Sequence, residues 1–551
     1  MTFRNLNSGE DIGTIAEVLA NHSIEVPEND GMHVYRHIQE ECKSQLPINA
    51  ESKWCIQALT NPGVDVVQFD KSFITLSVKV GLQMSEALSV ESGGNYSDLV
   101  NKGSKVFIGW KNASDAIREY SIYHKGKQVT GTLQSHATEE SFLYHTIRGQ
   151  DDLEYHKGRY SIAESVAAGK YDSYCGEFVS LETLASAGTN TFYITFDLQI
   201  PYDDILCFQQ FQEYPNALFG LLEFYFKFNK DSLVYMQTDP VNGIKTLYDS
   251  TYSGDYTATN VGSLLNTLSQ ALPAYTKEYT QINDSANIIT KITSAGAVTV
   301  DEITISTVSM SIVDCFATIC GYNMEPEKLE IERSKWSSQP FGYFTQNVNF
   351  LPYSTSANST GLFVTQQTYL NNTTDFIITF PQTEHQITVM KNPMLKEFRL
   401  TTLNTDFPEL ALDFTSPRFV EIMMAASDCE YSKPRKEYAQ SLTIPRETDD
   451  GQLVPVEDLT SFMVTLHVER PSAYGMICDG LDSNGQQVSV RLKATPLYTS
   501  RDSYCNSSPP PPILYTVNDA VWAFNSQDGG RCIYTDHDIA EVIPAFMAGS
   551  A

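Results

Sequence analysis

The sequence predicts an all-β protein of two domains, and three observations support this prediction. The chain has 551 residues with 30 Tyr and 28 Phe, whereas charged residues make up only 19% of it. Such a composition favours β-sheets with polar loops over helical bundles. Apolar and polar side chains alternate along several segments, which is the period of a strand with one buried face. The length favours two domains over one, and it allows a large core without disulfides or metal ions.

The clearest pattern lies between Thr191 and Pro240. Alternation predicts one strand that ends at Pro201 and a second strand over residues 222–228. Between them, Asp203 is placed to cap a short helix, which Tyr214-Pro215-Asn216 would break. Strand, short helix and strand together predict the corner of a β-sandwich. The apolar positions are Phe192, Ile194, Phe196, Leu198 and Ile200 in the first strand and Leu222, Phe224, Phe226 and Phe228 in the second.

Several motifs around this corner carry a family resemblance. In chain order they are Phe107-Ile108-Gly109-Trp110-Lys111-Asn112-Ala113, Tyr123-His124-Lys125-Gly126-Lys127, Gly131-Thr132-Leu133-Gln134, Ser173-Tyr174-Cys175-Gly176, Ile200-Pro201-Tyr202-Asp203-Asp204-Ile205-Leu206 and Glu213-Tyr214-Pro215-Asn216. They resemble the first jelly roll of double jelly-roll major capsid proteins from virophages and Maverick/Polinton-like DNA viruses. The resemblance covers most of residues 60–520. It implies two tandem jelly-roll β-sandwiches, with short helices in the loops between strands.

The resemblance also implies a function, which is structural and not enzymatic. Three chains would form a homotrimeric, pseudo-hexameric capsomer, and capsomers would tile an icosahedral shell around double-stranded DNA. The implied partners are copies of the chain, neighbouring capsomers, and penton and minor capsid proteins. The implied location is the virion, with synthesis and assembly inside the host cell. The alternatives are a multi-domain β-sandwich protein that binds carbohydrate or cleaves glycosides, and a minor capsid or spike protein.

The predicted domain organisation has five segments. They are an N-terminal arm (1–60), a first jelly roll (61–245), a linker (246–300), a second jelly roll (301–537) and a C-terminal tail (538–551). The arm contains two short predicted helices, at residues 12–19 and 32–42. The apolar residues of the tail have near-helical spacing, so the tail either seals the second sandwich or docks on a neighbouring subunit.

Strand signals continue beyond the first sandwich. A change of phase near Thr307 predicts a β-bulge. Residues 417–426 are predicted to form a helix. Asp482-Ser483-Asn484-Gly485 predicts a type I′ hairpin turn rather than a calcium loop, since its spacing does not fit an EF-hand. The first clear strand of the first sandwich has alternating Ile74, Leu76, Val78 and Val80. In the second half, alternation recurs at Phe376, Ile378 and Phe380 and at Phe462, Val464, Leu466 and Val468.

The charge argues against direct nucleic-acid binding. The formal net charge is −30, whereas neutralising phosphates needs a surplus of Lys and Arg along a contact face. The first ten residues lack an apolar segment, and no window of about 18 apolar residues occurs, so neither a secretion signal nor a membrane span is expected. The ten cysteines contain no Cys-X-X-Cys and are interpreted as mostly reduced core residues. Cys315 and Cys320 are five residues apart on one predicted strand and should face opposite ways.

No catalytic, cofactor-binding or metal-ligating residue is predicted, and no cofactor. The sequence lacks the Gly-X-Ser-X-Gly, P-loop, His-Glu-X-X-His and Gly-X-Gly-X-X-Gly motifs. His124, beside Lys125 and Lys127, is interpreted as part of a turn with a solvated basic rim rather than an anion site. Asp203-Asp204 and Asp536-His537-Asp538 are interpreted as helix caps rather than as a glycosidase carboxylate pair and a metal site.

Overall fold

The structure is a computed structural model that describes part of the chain. The described residues are 34–49, 53–87, 105–110, 113–130, 175–186, 189–208, 213–230, 232–237, 280–281, 285–292, 300–338, 341–353, 362–380, 393, 395–414, 463–468, 480–483, 485–496, 511–525 and 530–535. The predicted helices at residues 12–19 and 417–426, the motif at residues 131–134, the tripeptide at residues 536–538 and the tail lie outside these residues.

Strands dominate the first half of the described chain. In order they are β1 (Val34–Glu41), β2 (Cys55–Ala58), β3 (Val66–Gln68), β4 (Phe73–Met84), β5 (Lys105–Gly109), β6 (Ile117–His124), β7 (Lys127–Gln128), β8 (Gly176–Ser180), β9 (Thr191–Pro201), β10 (Glu213–Tyr214), β11 (Leu222–Phe228), β12 (Val234–Gln237), β13 (Thr280–Gln281), β14 (Ser285–Ile292) and β15 (Val300–Asn323). Two short helices, α1 (Leu181–Ser186) and α2 (Asn216–Phe219), and several 3₁₀ turns lie between them.

The second half begins with helix α3 (Pro326–Ser338) and continues with strands. These are β16 (Phe341–Pro352), β17 (Leu362–Thr368), β18 (Thr373–Thr379), β19 (Leu395–Thr402), β20 (Thr405–Leu412), β21 (Met463–His467), β22 (Val488–Pro496), β23 (Ile513–Asn525) and β24 (Arg531–Thr535). No helix in the described ranges is long and apolar enough to cross a membrane.

The second sandwich has the strand order of a jelly roll. One sheet runs β16-β23-β18-β21, with β24 also paired to β23, and the other runs β17-β22-β19-β20. If β16 to β23 are counted one to eight, the two orders are 1-8-3-6 and 2-7-4-5. This pattern arises when a long antiparallel ribbon wraps around a core, and its two sheets then face each other.

The first sandwich repeats the pairings that define this order. Strand β11 lies between β2 and β6, as β23 lies between β16 and β18, and β4 pairs with β9 as β17 pairs with β22. A further sheet, β13-β12-β5-β8, completes this half of the chain. The predicted fold class, an all-β chain with two tandem jelly rolls and short helices between strands, is confirmed.

The burial of the strands follows the predicted phases. In β11 the residues Leu222, Phe224, Phe226 and Phe228 are buried and the residues between them are half-exposed. In β4 the predicted apolar face is fully buried as well. The predicted bulge near Thr307 is present, since the pairing of β15 with β4 shifts between Thr307 and Ser309.

Strand β15 joins the first sandwich. Its residues 305–318 pair with β4, and its apolar residues enter the same core as those of β4. The sequence-based division places residues 301–323 in the second jelly roll. In the structure, however, this strand pairs with strands of the preceding half. The five-segment division of the chain stays a prediction.

Two local predictions are wrong. Residues 34–41 form a strand instead of the predicted helix, because each of them pairs with a residue of β15 between Phe316 and Asn323. The turn at Gly485 exists, with φ +71° and a hydrogen bond from Gln486 N–H to the Ser483 oxygen of 3.0 Å. It does not close a hairpin, since β21 pairs with β18 in one sheet whereas β22 belongs to the other.

Candidate functional site

Three of the segments that carry the family resemblance, around Trp110, Cys175 and Asp204, meet at one corner of the first sandwich. Trp110 is fully buried, and its backbone N–H donates to the oxygen of Cys175 at 2.9 Å. Its indole Nε1–H donates to Ser232 Oγ at 2.9 Å, and Ser232 Oγ–H donates to the backbone oxygen of Asp115 at 2.7 Å. Each contact joins segments that are far apart in the sequence. These residues therefore hold the segments of the corner together by hydrogen bonds.

Two glycines allow β5 and β8 to approach closely there. Gly109 and Gly176 are directly opposite each other in the pairing of these strands. A Cβ atom on Gly109 would lie 2.3 Å from the Cys175 oxygen and 2.6 Å from Gly176 Cα. Because both neighbours are backbone atoms, they cannot move aside as a side chain does. Only glycine fits at this crossing.

The carboxylates Asp203 and Asp204 lie in a tight 3₁₀ turn, Tyr202–Asp204. The turn begins after Pro201, so Asp203 lies within it and not at its N-cap position, and the prediction that Asp203 caps a helix is wrong. Asp204 is buried, and its Oδ2 accepts a hydrogen bond from Ser114 Oγ at 3.0 Å. This bond ties the turn to the segment after Trp110. Asp204 thus has a structural contact that the sequence did not reveal.

His124 lies at the contact between the two sandwiches. It is 0% exposed, which the sequence does not predict, whereas the turn that follows it carries Lys125 and Lys127 on an exposed rim as predicted. Its Nδ1 accepts a hydrogen bond from the backbone N–H of Cys532 at 3.0 Å, and its Nε2–H donates to the Phe219 oxygen at 2.9 Å. The ring also meets Phe524 edge-on, with centroids 5.2 Å apart. Phe524 and Cys532 follow His124 by about 400 positions in the sequence, so no local sequence pattern indicates that they cover it.

Burial controls the charge of His124. Desolvation lowers its pKa from 6.5 to about 4, and the positive charge of Lys125 acts in the same direction, while the hydrogen bond to Phe219 opposes them. The imidazole is therefore neutral at pH 7. The neutral ring with its proton on Nε2 is also the form that the two hydrogen bonds require.

An aromatic cluster surrounds His124. The rings of Phe219 and Phe524 stack with centroids 4.2 Å apart and planes 8° apart. Three further rings from the second half of the chain approach Phe219 edge-on. They are Phe341 at 5.4 Å, Trp336 at 5.5 Å and Tyr343 at 6.0 Å between centroids. Aromatic pairs of this kind add about 0.5–1.5 kcal/mol each beyond their buried area.

Polar contacts extend the joint on both sides of this cluster. Lys125 Nζ donates to the Gly530 oxygen at 3.1 Å, and Thr345 Oγ1 donates to the Cys207 oxygen at 2.9 Å. Phe341, Trp522, Phe524 and Cys532 belong to the same continuous apolar core as the first sandwich. The two jelly rolls therefore share a core at their contact, which makes relative movement costly.

One group of potential metal ligands escaped the sequence analysis. Among the described residues, Cys42, Cys55 and Cys315 are the three whose ligand atoms all lie within 4.8 Å of one another. They are 13 and 260 residues apart, so no spacing motif links them. Cys315 lies in the core of the first sandwich and Cys320 does not, in agreement with their odd spacing along β15. The described cysteines are not in disulfides, and most are buried.

No protein-family model and no curated protein matches the chain. Several solved structures are similar to it in fold. The mavirus major capsid protein is 9% identical with a TM-score of 0.49, covering 98% of this chain and 98% of that chain. The Sputnik virophage structure gives 12% identity, a TM-score of 0.47 and coverage of 93% and 92%. The Faustovirus major capsid protein gives 8% identity, a TM-score of 0.41 and coverage of 91% and 93%. The mavirus and Faustovirus proteins are major capsid proteins, which is the class of protein that the sequence motifs resemble.

Proposed function

We propose that this chain is a major capsid protein whose homotrimers form pseudo-hexameric capsomers of an icosahedral shell around double-stranded DNA. The observation that carries the proposal is the repeated jelly-roll pairing in two sandwiches that share one buried core. Such a chain is a rigid block with two similar lobes. Three copies around a threefold axis present six similar lobes, so a trimer can occupy a position that has six neighbours in a closed lattice.

The shared core gives this geometry its stiffness. Phe219 is buried between rings from both halves of the chain, and His124 is hydrogen-bonded to both. Two domains joined only by a linker would move relative to each other. A capsomer needs a fixed angle between its lobes, because that angle sets the contacts with its neighbours. The proposal requires no catalytic residue, cofactor or metal ion.

The charge of the chain bears on how the genome would be enclosed. A net charge of −30 repels DNA, since binding to phosphates depends on basic residues. A shell of this protein therefore encloses DNA without sequence-specific contacts, and another protein supplies the neutralising charge. Penton and minor capsid proteins would fill the vertices, which a pseudo-hexameric block does not fit. Its location would be the virion, after synthesis and assembly in the host cell.

The proposal is tested by expressing the full chain and measuring its mass in solution by light scattering at micromolar concentration. The expected result is the mass of three chains, with hollow particles in negative-stain electron micrographs at higher concentration. A persistent monomer contradicts the proposal. If that monomer also binds polysaccharide in a glycan screen, the carbohydrate-binding alternative takes its place. Co-expression with candidate vertex proteins, followed by nuclease digestion, then tests whether closed particles protect DNA.

A further inference from the structure

Three sulfur atoms converge in the first sandwich. Cys42 Sγ lies 3.3 Å from Cys55 Sγ, and Cys55 Sγ lies 3.9 Å from Cys315 Sγ. In a tetrahedral zinc site with Zn–S bonds of about 2.3 Å, neighbouring sulfurs are about 3.8 Å apart. We propose that Cys42, Cys55 and Cys315 form a binding site for one thiophilic metal ion, with Zn²⁺ as the best-fitting ion. This replaces the expectation from sequence that no metal is bound.

The backbone holds the three cysteines in place before any metal binds. Cys42 follows β1, Cys55 begins β2 and Cys315 lies within β15. The backbone N–H of Cys42 donates to the Cys315 oxygen at 3.0 Å, beside the ladder that joins β1 to β15. The Sγ positions are thus set by sheet pairing. A site on rigid strands binds metal with little ordering cost.

A neighbouring serine supports the sulfur of Cys42. The backbone N–H of Ser44 donates to Cys42 Sγ at 3.3 Å, and the thiol of Cys42 donates to the Ile56 oxygen at 3.2 Å, so both contacts fix the position of this sulfur. The Ser44 hydroxyl is itself fixed, since it accepts the N–H of Ile56 at 2.8 Å and donates to the Trp54 oxygen at 3.3 Å. Groups that orient a ligand atom in this way strengthen metal binding.

Gln57 supplies a candidate for the fourth ligand. Its side chain is fully buried, and its Nε2 donates to the backbone oxygens of Glu40 at 2.9 Å and Ala58 at 3.1 Å. These two bonds hold the carboxamide so that Oε1 faces Cys315 Sγ at 3.5 Å. An oxygen donor beside three sulfurs completes four-coordination. Cys42 is only half-buried, which leaves a path for the ion to enter.

Metal uptake here needs no oxidant. Each thiol that becomes a ligand gives its proton to solvent while its sulfur lone pair forms the bond to the ion. The bound ion would join β1, β2 and β15 at one point. It would therefore hold residues 34–43, at the edge of the sheet, against the core.

The test uses the purified full chain in a phosphine reductant, after treatment with a chelator. It is titrated with Co²⁺, which reports tetrahedral thiolate sites by sulfur-to-metal charge-transfer absorption in the near ultraviolet. The expected result is one equivalent of Co²⁺ with this absorption, displaced by Zn²⁺. Cys42→Ser should weaken binding at least tenfold. Cys320→Ser is the matched control, because Cys320 lies outside the group of three cysteines and outside the core that holds Cys55 and Cys315, and it should bind as the parent chain does.

A second readout separates metal binding from loss of fold. Zn²⁺ should raise the thermal unfolding midpoint of the parent chain and of Cys320→Ser, because a ligand that binds only the native state stabilises it. It should leave the midpoint of Cys42→Ser unchanged. If Cys42→Ser does not fold, the spectrum of the parent chain decides alone.

Three results would overturn the proposal. They are the absence of thiolate charge-transfer absorption in the parent chain, equal binding by Cys42→Ser, and loss of binding by Cys320→Ser. A Cys42–Cys55 disulfide in the purified protein, with no Co²⁺ binding after reduction, would overturn it in favour of a redox pair.

Discussion

The backbone N–H of Cys532 donates a hydrogen bond to Nδ1 of His124 across 408 residues of sequence, at 3.0 Å. An imidazole nitrogen accepts a hydrogen bond only while it carries no proton. Protonation of His124 at Nδ1 would bring its new N–H face to face with the N–H of Cys532. It would also place a positive charge among buried aromatic rings. The joint between the two sandwiches therefore depends on a neutral histidine.

Acid should weaken this joint. The pKa of His124 falls from 6.5 to about 4 on folding, which corresponds to about 3 kcal/mol at about 1.4 kcal/mol per pH unit. A group whose pKa is lowered on folding contributes its full stability above pH 6.5 and loses it as the pH falls toward 4. Between pH 7 and pH 4.5 the thermal unfolding midpoint should drop more in the parent chain than in His124→Gln.

The matched control for the acid effect is His37→Gln. His37 lies on the exposed face of β1, so its replacement removes an imidazole and leaves the contacts of the joint intact. If His124→Gln retains the full pH dependence of the parent chain, carboxylates and not His124 control the acid response.

Removing the ring of Phe219 should be costly. The side chain is 0% exposed and stacks on Phe524, so Phe219→Ala leaves a cavity at the joint and should cost about 3–5 kcal/mol. Phe363→Ala is the control, because Phe363 is 71% exposed and its loss should change stability by less than about 0.5 kcal/mol. Urea unfolding measures both, and equal midpoints would show that the stacked pair contributes little.

The phase of β11 gives a second matched set. Phe224→Asp and Phe226→Asp each place a carboxylate in the core without a partner, which should cost on the order of several kcal/mol and abolish soluble expression. Tyr225 points to the other side of the sheet, beside Tyr123 with ring centroids 4.4 Å apart, and Tyr225→Asp should remain soluble. The measurement is the soluble yield of the three variants when they are expressed in parallel. Equal loss in all three variants would contradict the assigned face.

Replacement of Gly109 by alanine should disrupt the corner formed by the resemblance motifs. The new Cβ would meet backbone atoms of the facing strand at 2.3 Å and 2.6 Å, so β5 and β8 must separate. Gly126→Ala is the control, since no atom lies within 4 Å of its Cβ position and only its φ of +76° is unfavourable, at about 1 kcal/mol. We expect a much lower unfolding midpoint for Gly109→Ala than for Gly126→Ala, and the reverse order would refute the close approach.

Sequence patterns predicted the parts of the fold that depend on local periodicity. The alternating faces of β4 and β11 and the bulge at Thr307 are such parts, because every second residue of a strand with one buried face is apolar. Strand β1 has no such alternation of apolar and polar residues. Its residues are mostly exposed, and their conformation comes from pairing with residues more than 270 positions away.

The surroundings of His124 and the group of three cysteines could not be predicted from the sequence for a related reason. His124 is the last residue of an ordinary strand and precedes a glycine turn, and nothing in the nearby sequence shows that the segment around Cys532 covers it. Cys42, Cys55 and Cys315 likewise meet only after β1 and β15 have paired. Contacts between distant segments need the tertiary fold, which a single sequence without covariation does not supply.

Strand β15 also determines when the first sandwich can be finished during synthesis. Its 24 residues pair with β1, β3, β4 and β14, yet they leave the ribosome long after β4, which is complete at Met84. Until then, one edge of β4 has no partner from β15, and the nascent chain presents that open edge to other chains. A cell that makes many copies at once must therefore keep neighbouring nascent chains apart, or shield them with chaperones, for the time taken to translate more than 200 residues.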